Sequence, residues 1–271
     1  MRRPFACDNP LMYSPRLRTS GFTLVEMAVV LAVIALLIGG VMAGTNLNHT
    51  AELRSVATDF TRYATSVRTF RDQYNGLPGD LPNATKYWGV TAGNGTGTDV
   101  TCVDATSIAG TTCNGSGNNW IDFGYGSGYF GEINLAWQQM ALAGFVEGRF
   151  AGGSAAPAIG VTAPGNKYDS QSGFSIATAL MSGSFGEEFS HETDGVTIFY
   201  GRPAGVLRGA NLRVADAAYI DTKIDDGKPD TGMLINQTDA TGCYTGTYPT
   251  AAYNMTNLQP NLCILRYTVK F

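Results

Sequence analysis

The stretch Arg16–Gly40, RLRTSGFTLVEMAVVLAVIALLIGG, begins the longest apolar run of the chain. From Phe22 to Ala43 only Thr23, Glu26 and glycines interrupt the apolar residues. A helix needs about 20 such residues to cross the hydrocarbon core of a membrane. Because arginines precede the run, we expect a cytoplasmic N-terminus and export of the residues that follow. The sequence therefore predicts a single transmembrane helix over residues 22–44.

One residue of this segment, Glu26, needs an explanation beyond membrane insertion. A carboxylate inside a membrane helix costs about 2.5–3.5 kcal/mol, so Glu26 requires a partner or a role, unless it reaches the lipid interface.

An ordinary secretory signal is the alternative for the whole segment, and Val41–Gly44 offers a small-residue cleavage site for it. Such a signal has a shorter apolar core than this one.

The residues SGFTLVE resemble the class III signal of type IV pilins and type II secretion pseudopilins. The shared features are the basic stretch, the junction Gly21–Phe22, and the acid Glu26 at the fifth residue after that junction. The resemblance implies that a prepilin peptidase removes residues 1–21 and that Phe22 is then N-methylated. It also implies that the apolar segment stays in the mature protein. Met12 offers a second start, with the same mature product.

In such filaments, the resemblance implies, Glu26 of one subunit neutralises the amine of Phe22 in the next. Buried ion pairs of this kind fix register more than they add stability. The implied partners are other pilin or pseudopilin subunits, the peptidase that is also the N-methyltransferase, and an inner-membrane assembly platform. The implied location is the bacterial inner membrane before assembly, and a periplasmic or cell-surface filament afterwards.

A second helical pattern follows the membrane segment and continues it. The repeat has spacings of three and four residues and comprises Leu53, Val56, Phe60, Tyr63, Val67, Phe70 and Tyr74. This spacing predicts one apolar helix face, so residues 22–75 are expected to form one long helix. Glycines and prolines after Tyr74 end it. We therefore predict a pilin-like α+β fold, in which this helix packs on a C-terminal antiparallel sheet.

Residues 76–271 are predicted to form the globular domain. The segment Gly131–Gly148 has apolar residues at helical spacing and predicts a short amphipathic helix. Gly195–Gly201 and Ile264–Phe271 are predicted strands. In the second strand, an apolar set, Leu265, Tyr267, Val269 and Phe271, alternates with a polar set, Arg266, Thr268 and Lys270. This alternation predicts that the first set is buried and the second exposed.

Four cysteines remain once Cys7 is assigned to the leader, an even number that suits an exported chain. Their spacing favours two local disulfides, Cys102–Cys113 and Cys243–Cys263, and two other pairings stay open. The first pair would staple a Gly/Thr/Asn-rich surface loop over residues 91–119. No C-x-x-C is present, which argues against zinc or thioredoxin-like chemistry.

The net charge and the absence of catalytic motifs in the sequence argue against several other functions. The net charge is −4, but residues 1–21 carry +3, so the mature chain carries −7. This charge argues against a general nucleic-acid or anionic-membrane surface. The two histidines, His49 and His191, accompany no hydrolase or metalloprotease motif. We therefore expect a protein that is not an enzyme and that needs no catalytic cofactor.

One acidic loop is a candidate calcium site. Ile220–Gly232 concentrates four carboxylates around a glycine turn, namely Asp221, Asp225, Asp226 and Asp230. Hard oxygen ligands suit Ca²⁺, and the resemblance supports it because some pseudopilins hold calcium near the sheet. The loop departs from an EF-hand, since Lys223 takes the third position and no glutamate follows at the twelfth. A plain Asp-Gly turn with solvated carboxylates is the alternative.

The leading hypothesis is a structural subunit, major or minor, of a type IV pilus or a type II secretion pseudopilus. The rival hypothesis is a single-pass membrane-anchored binding or adhesion protein that never polymerises. Under the rival hypothesis Glu26 is dispensable and the apolar segment tolerates scrambling.

Overall fold

A computed structural model describes residues 21–90, 110–121, 131–153, 156–178, 195–204, 206–237 and 242–271 of the chain. The chain divides into two compact units, Met1–Leu47 and Asn48–Phe271. The helices are α1 (Leu24–Tyr74), α2 (Thr85–Trp88), α3 (Gly131–Leu142) and α4 (Val214–Ile224). The strands are β1 (Gly173–Thr178), β2 (Val196–Ala204), β3 (Val206–Gly209), β4 (Leu234–Asn236), β5 (Tyr244–Thr245), β6 (Ala252–Tyr253) and β7 (Leu265–Val269).

The fold is α+β, a long N-terminal helix followed by an antiparallel sheet, as the sequence predicted. The predicted apolar face of α1 is buried from Leu53 to Phe70, and Tyr74 is partly buried. Phe60 lies at its centre, with its ring centroid 5.2 Å from that of Phe174 and 6.2 Å from that of Tyr267. The helix half beyond Asn48 is therefore an integral part of the globular core.

The main sheet has the strand order β1-β2-β7-β4, and β3 pairs with the end of β2. All of these pairings are antiparallel. One residue from each of the four strands forms a cross-strand row of buried side chains that faces the core: Ile176, Ile198, Tyr267 and Leu234. The predicted strands at Gly195–Gly201 and Ile264–Phe271 correspond to β2 and β7.

Helix α3 corrects the prediction of an amphipathic helix at Gly131–Gly148. The helix forms, but every residue from Gly131 to Met140 is buried, including the polar ones. The Gln139 side chain accepts a hydrogen bond from the Gly79 amide (2.7 Å) and donates one to the Cys113 carbonyl (3.1 Å). Because neighbouring loops satisfy these polar groups, the polar side of α3 can be buried as well.

Strand β7 also departs from the prediction of one exposed face. Arg266 is only 8% exposed, although it alternates with the core residues Leu265 and Tyr267. Phe271, predicted to face the core, lies beyond the strand and is 52% exposed. Both faces of the sheet are therefore covered at β7, which alternation alone does not reveal.

A disulfide joins Cys243 and Cys263, with their Cα atoms 5.2 Å apart. This is one of the two local pairings that the spacing favoured. Cys113 is also disulfide-bonded, but Cys102 lies outside the described residues, so the pairing Cys102–Cys113 stays a prediction. Cys243 and Cys263 are fully buried, and Cys263 also forms an isolated backbone bridge with Leu212 outside the named strands.

Removing this disulfide should lower the stability of the globular unit. Replacing Cys243 and Cys263 together by serine frees a loop that spans 20 residues in sequence. The chain-entropy model gives a cost of about 3 kcal/mol for a loop of that size. The measurement is the urea midpoint of the detergent-solubilised chain, with Ser170→Ala, at an exposed serine, as a surface control. A double variant as stable as wild type under oxidising conditions would contradict this account.

Candidate functional site

The N-terminal end of α1 is closed by a reciprocal pair of side chains. The Glu26 carboxylate accepts hydrogen bonds from the Thr23 amide and the Thr23 hydroxyl, both at 2.8 Å. In return, the Thr23 hydroxyl accepts from the Glu26 amide at 3.2 Å. This is a capping box, in which each residue satisfies a donor that the first helical turn leaves free. Glu26 therefore has a helix-capping role within its own chain.

The first half of α1 exposes apolar side chains on all sides. The large apolar residues from Phe22 (82% exposed) to Leu47 (71% exposed) are exposed within the described part of unit Met1–Leu47, residues 21–47. An 18-residue window of the helix has a mean hydropathy of 2.7. By length and composition this helix could cross a membrane. A helix that is apolar all round requires lipid or other helices around it.

The segment matches one known sequence family. A family model described as the prokaryotic N-terminal methylation motif matches residues 16–42. This stretch is the class III signal of type IV pilins and pseudopilins. No curated protein and no solved structure gives a significant match to the chain.

The motif implies processing by a prepilin peptidase and assembly with other pilins. The predicted junction lies just before α1, because Gly21, Phe22 and Thr23 have no regular secondary structure and the helix begins at Leu24. All three residues are exposed. A peptide bond outside regular secondary structure is open to a protease, so the local structure suits cleavage after Gly21.

The acidic loop brings together three of its four predicted carboxylates. Side-chain oxygens of Asp221, Asp225 and Asp226 all lie within 4.8 Å of one another. Asp221 is fully buried at the end of α4, Asp225 is half-buried and Asp226 is exposed. Asp230 is not a member of this group. Its Oδ2 accepts from the Ala251 amide at 2.8 Å, and its buried Oδ1 has no donor within the described ranges.

Hydrogen bonds hold the three carboxylates in place. Asp221 accepts from the Tyr253 hydroxyl at 2.8 Å and from the Gly227 amide at 3.3 Å. Asp225 accepts from two consecutive amides, those of Met233 and Leu234. Asp226 accepts from the Lys228 amide at 3.0 Å and from the Thr231 hydroxyl. The loop is therefore ordered around its acids, unlike a plain turn whose carboxylates only meet solvent.

Electrostatics make this cluster unfavourable without a counter-charge. Burial raises the pKa of Asp221 to about 7, and the nearby charges of Asp226 and Asp225 act in the same direction. The hydrogen bond from Tyr253 opposes this rise only in part. A divalent cation among the three would offset both the repulsion and the desolvation. Their all-oxygen donor set fits the ligand preference of calcium.

A second polar cluster centres on the buried carboxylate of Asp216 in α4. Its Oδ2 accepts from the Tyr168 hydroxyl at 2.8 Å and from Arg213 Nε at 2.7 Å. Its Oδ1 lies 2.9 Å from His49 Nε2. Burial acts to raise the pKa of Asp216, but bonds from Arg213, His49 and Tyr168 outweigh it and lower the pKa below its usual value. This cluster ties α1 to α4.

The sequence alone contains no signal that pairs His49 with Asp216, Tyr168 or Arg213. His49 and Asp216 are 167 residues apart, so no local motif could have linked them. The capping box, in contrast, has a local signature, since threonine followed three residues later by glutamate before an apolar run predicts it. His191 lies outside the described residues.

Proposed function

We propose that the chain is a structural subunit of a type IV pilus or of a type II secretion pseudopilus. The observation that carries the proposal is the methylation motif at residues 16–42, on a helix whose apolar side chains are exposed all round. Burying those side chains against other copies of the helix provides the driving force for assembly. The globular unit then decorates the outside of the filament.

In this mechanism cleavage after Gly21 creates a new amine at Phe22, which becomes N-methylated. Within the packed helices Glu26 of one subunit neutralises the Phe22 amine of its neighbour, while Val25, Val29 and Leu36 pack around the pair. The apolar contacts supply most of the energy, and the ion pair sets the axial register. The subunit waits in the inner membrane, N-terminus cytoplasmic, until the assembly platform extracts it.

Replacing the apolar segment tests this proposal against a non-polymerising anchored protein. We suggest exchanging residues 27–42 for an unrelated transmembrane helix of equal hydropathy, with Gly21–Glu26 unchanged. A filament subunit should keep its processing and membrane insertion but lose its recovery in sheared or cross-linked filaments. The measured quantity is the fraction of the chain in filaments. Absence of the wild-type chain from filaments, together with unchanged function of the exchanged chain, would favour the anchored protein.

We further propose that Asp221, Asp225 and Asp226 bind calcium and pin the loop after α4. What supports this is the approach of three carboxylates within 4.8 Å, one of them fully buried. The bound ion would keep the three acids ionised at neutral pH and would fasten the loop between α4 and β4. Asp230, whose Oδ1 is buried without a donor in the described chain, is the remaining candidate ligand.

Calcium should change how stability depends on pH. Because the pKa of Asp221 is raised to about 7 by folding, its stabilising contribution is complete below pH 4. Without calcium, that contribution should be lost as pH rises from about 4 to 7, at a cost of about 2–4 kcal/mol. With 1 mM Ca²⁺ the loss should disappear.

The measurement is the melting temperature of the full chain in detergent from pH 4 to 8, with EDTA, Ca²⁺ or Mg²⁺. Asp221→Asn should abolish the calcium response and flatten the pH profile in EDTA. Asp72→Asn, an exposed acid on α1, is the matched control and should keep both effects. Identical melting temperatures of wild type in EDTA and calcium at pH 7.5 would refute the site.

A further inference from the structure

A cavity of about 420 Å³ lies beside the C-terminal end of α3. Ala141 and Leu142 follow Gln138 by three and four residues, so the three share one face of that helix, which forms one wall. The remaining walls come from two loop segments, residues 110–111 and 148–150. The volume is within the range of pockets that hold small molecules in proteins, about 300–1,000 Å³.

Contacts with the buried core hold these walls in place. The Gln138 side-chain oxygen accepts a hydrogen bond from the Thr112 hydroxyl at 2.9 Å, which ties the neighbouring segment 110–111 to α3. Phe150 is buried, and its ring centroid lies 6.4 Å from that of Trp137 in the same helix. The cavity is therefore formed by the fold itself, as binding pockets for small molecules usually are.

The lining of the cavity combines an apolar part with a polar part. Ala141, Leu142 and Phe150 supply the apolar part. Thr111 contributes a hydroxyl and Gln138 a carboxamide. Pockets that bind small molecules commonly join apolar walls to a few polar groups, which fix the orientation of the ligand.

Arg149 is the one charged side chain among the described residues that line the cavity. It is exposed, and its guanidinium has no hydrogen-bond or ion-pair partner in the part of the chain that the structure describes. An arginine presents its N–H donors in a planar fork, whose geometry matches a carboxylate. The cavity therefore offers one site for a single negative charge.

The lining indicates the chemical class of the ligand. A phosphate ester is usually bound by several cations or by a row of backbone amides, whereas this lining contains a single guanidinium. A lipid chain requires an apolar lining throughout, and the polar side chains argue against it. A sugar acid matches both parts, because its ring carries C–H groups and hydroxyls and its carboxylate carries one charge.

We propose that this cavity binds a hexuronate, a hexose whose terminal carbon is a carboxylate. Arg149 pairs with the carboxylate through two N–H groups. The C–H groups of the sugar ring pack against Leu142 and Phe150, and the ring hydroxyls meet the polar groups of Thr111 and Gln138. The site lies within one chain, so it does not depend on the proposed filament.

The hexuronate has two sources, a free sugar acid and the end of an acidic polysaccharide. Both present the same ring and the same carboxylate to Arg149. An oligosaccharide that ends in glucuronate distinguishes them. Tighter binding of this oligosaccharide than of free glucuronate supports a polysaccharide end, and equal or weaker binding supports the free sugar.

The experiment measures binding to the full chain by ligand-detected NMR titration, in a detergent without a sugar headgroup. The probes are sodium glucuronate, glucose and sodium acetate at equal ionic strength. Glucuronate should bind with a Kd of about 1 mM, as expected for a ligand with so few atoms. Glucose lacks the carboxylate and acetate lacks the ring, so each should bind at least about tenfold more weakly.

Four variants test the residues of the site. Arg149→Met should weaken glucuronate binding at least about tenfold, with little change in melting temperature because the side chain is exposed. Arg149→Lys keeps the charge but not the fork, so it should retain only part of the affinity. Ala141→Leu adds atoms inside the cavity and should also weaken binding. Lys167→Met removes an exposed cation elsewhere and, as the matched control, should bind as wild type does.

Several outcomes would overturn the proposal. The first is that glucuronate shows no saturable binding to wild type, and the second is that Arg149→Met binds it as tightly. Acetate that binds as well as glucuronate would indicate a simple anion contact at Arg149 instead of a sugar site. Full affinity in a folded Ala141→Leu variant would place the ligand outside the cavity. Loss of the filament without any of these results would refute the proposed function and leave this site intact.

Discussion

Glu26→Gln should insert into the membrane and be cleaved as wild type is, but its recovery in filaments should fall at least about tenfold. Glutamine keeps an oxygen that can accept the hydrogen bonds from Thr23, so the capping box survives. It loses the charge that neutralises the Phe22 amine of the next subunit. Leaving a charge uncompensated in a membrane-like core costs about 2.5–3.5 kcal/mol, and 1.4 kcal/mol already corresponds to tenfold.

The matched variant is Thr23→Ala, which removes the side-chain partner of the cap and keeps the charge of Glu26. Losing a cap costs about 1 kcal/mol, so Thr23→Ala should assemble with only a modest loss. The measurement is the ratio of filament to membrane protein for both variants, with N-terminal processing checked in each. Should Glu26→Gln assemble normally while Thr23→Ala fails, Glu26 would be a capping residue and not a register residue.

Phe60→Ala should give the largest loss of stability in the globular unit. Phe60 is fully buried, and its ring contacts those of Phe174 and Tyr267 on two strands of the sheet. Removing a buried phenylalanine side chain costs about 3–5 kcal/mol, because it loses apolar burial and leaves a cavity. For a unit of this size the melting temperature should fall by about 10 °C.

The control for Phe60→Ala is Val161→Ala, since Val161 is 50% exposed. Thermal unfolding of the detergent-solubilised chain, followed by near-ultraviolet circular dichroism, measures both. The control should change the melting temperature by no more than a degree or two, as surface substitutions usually do. Equal effects of the two variants would show that α1 does not form the centre of the core.

Local sequence signals predicted the elements that local physics determines. The three-and-four spacing from Leu53 to Phe70 identified the buried face of α1, because a helix repeats its faces at that period. The apolar residues of β2 and β7 likewise identified two central strands. Helix α3 was predicted as a helix but not as a fully buried one. Its polar side chains pair with loops near Gly79 and Cys113, which are distant in sequence.

The candidate sites also divide into those that the local sequence predicts and those that only the folded chain reveals. Gly21, Phe22 and Glu26 lie within six consecutive residues and form a recognisable motif, so they were predictable without a structure. The acidic loop was predicted by composition, but only the folded chain shows that Asp230 turns to the Ala251 amide instead of joining the other three. Arg266 is buried because both faces of the sheet are covered at β7, whereas alternation along that strand predicted that it would be exposed.

The N-terminal peptide mass of the mature protein tests the central claim most directly. The protein should be recovered separately from sheared surface material and from the cell envelope. The account predicts a chain that begins at N-methylated Phe22, in the sheared fraction for a surface pilus or in the envelope alone for a pseudopilus. A terminus near Thr45, or an uncut leader, would contradict the account and leave a secreted or anchored protein.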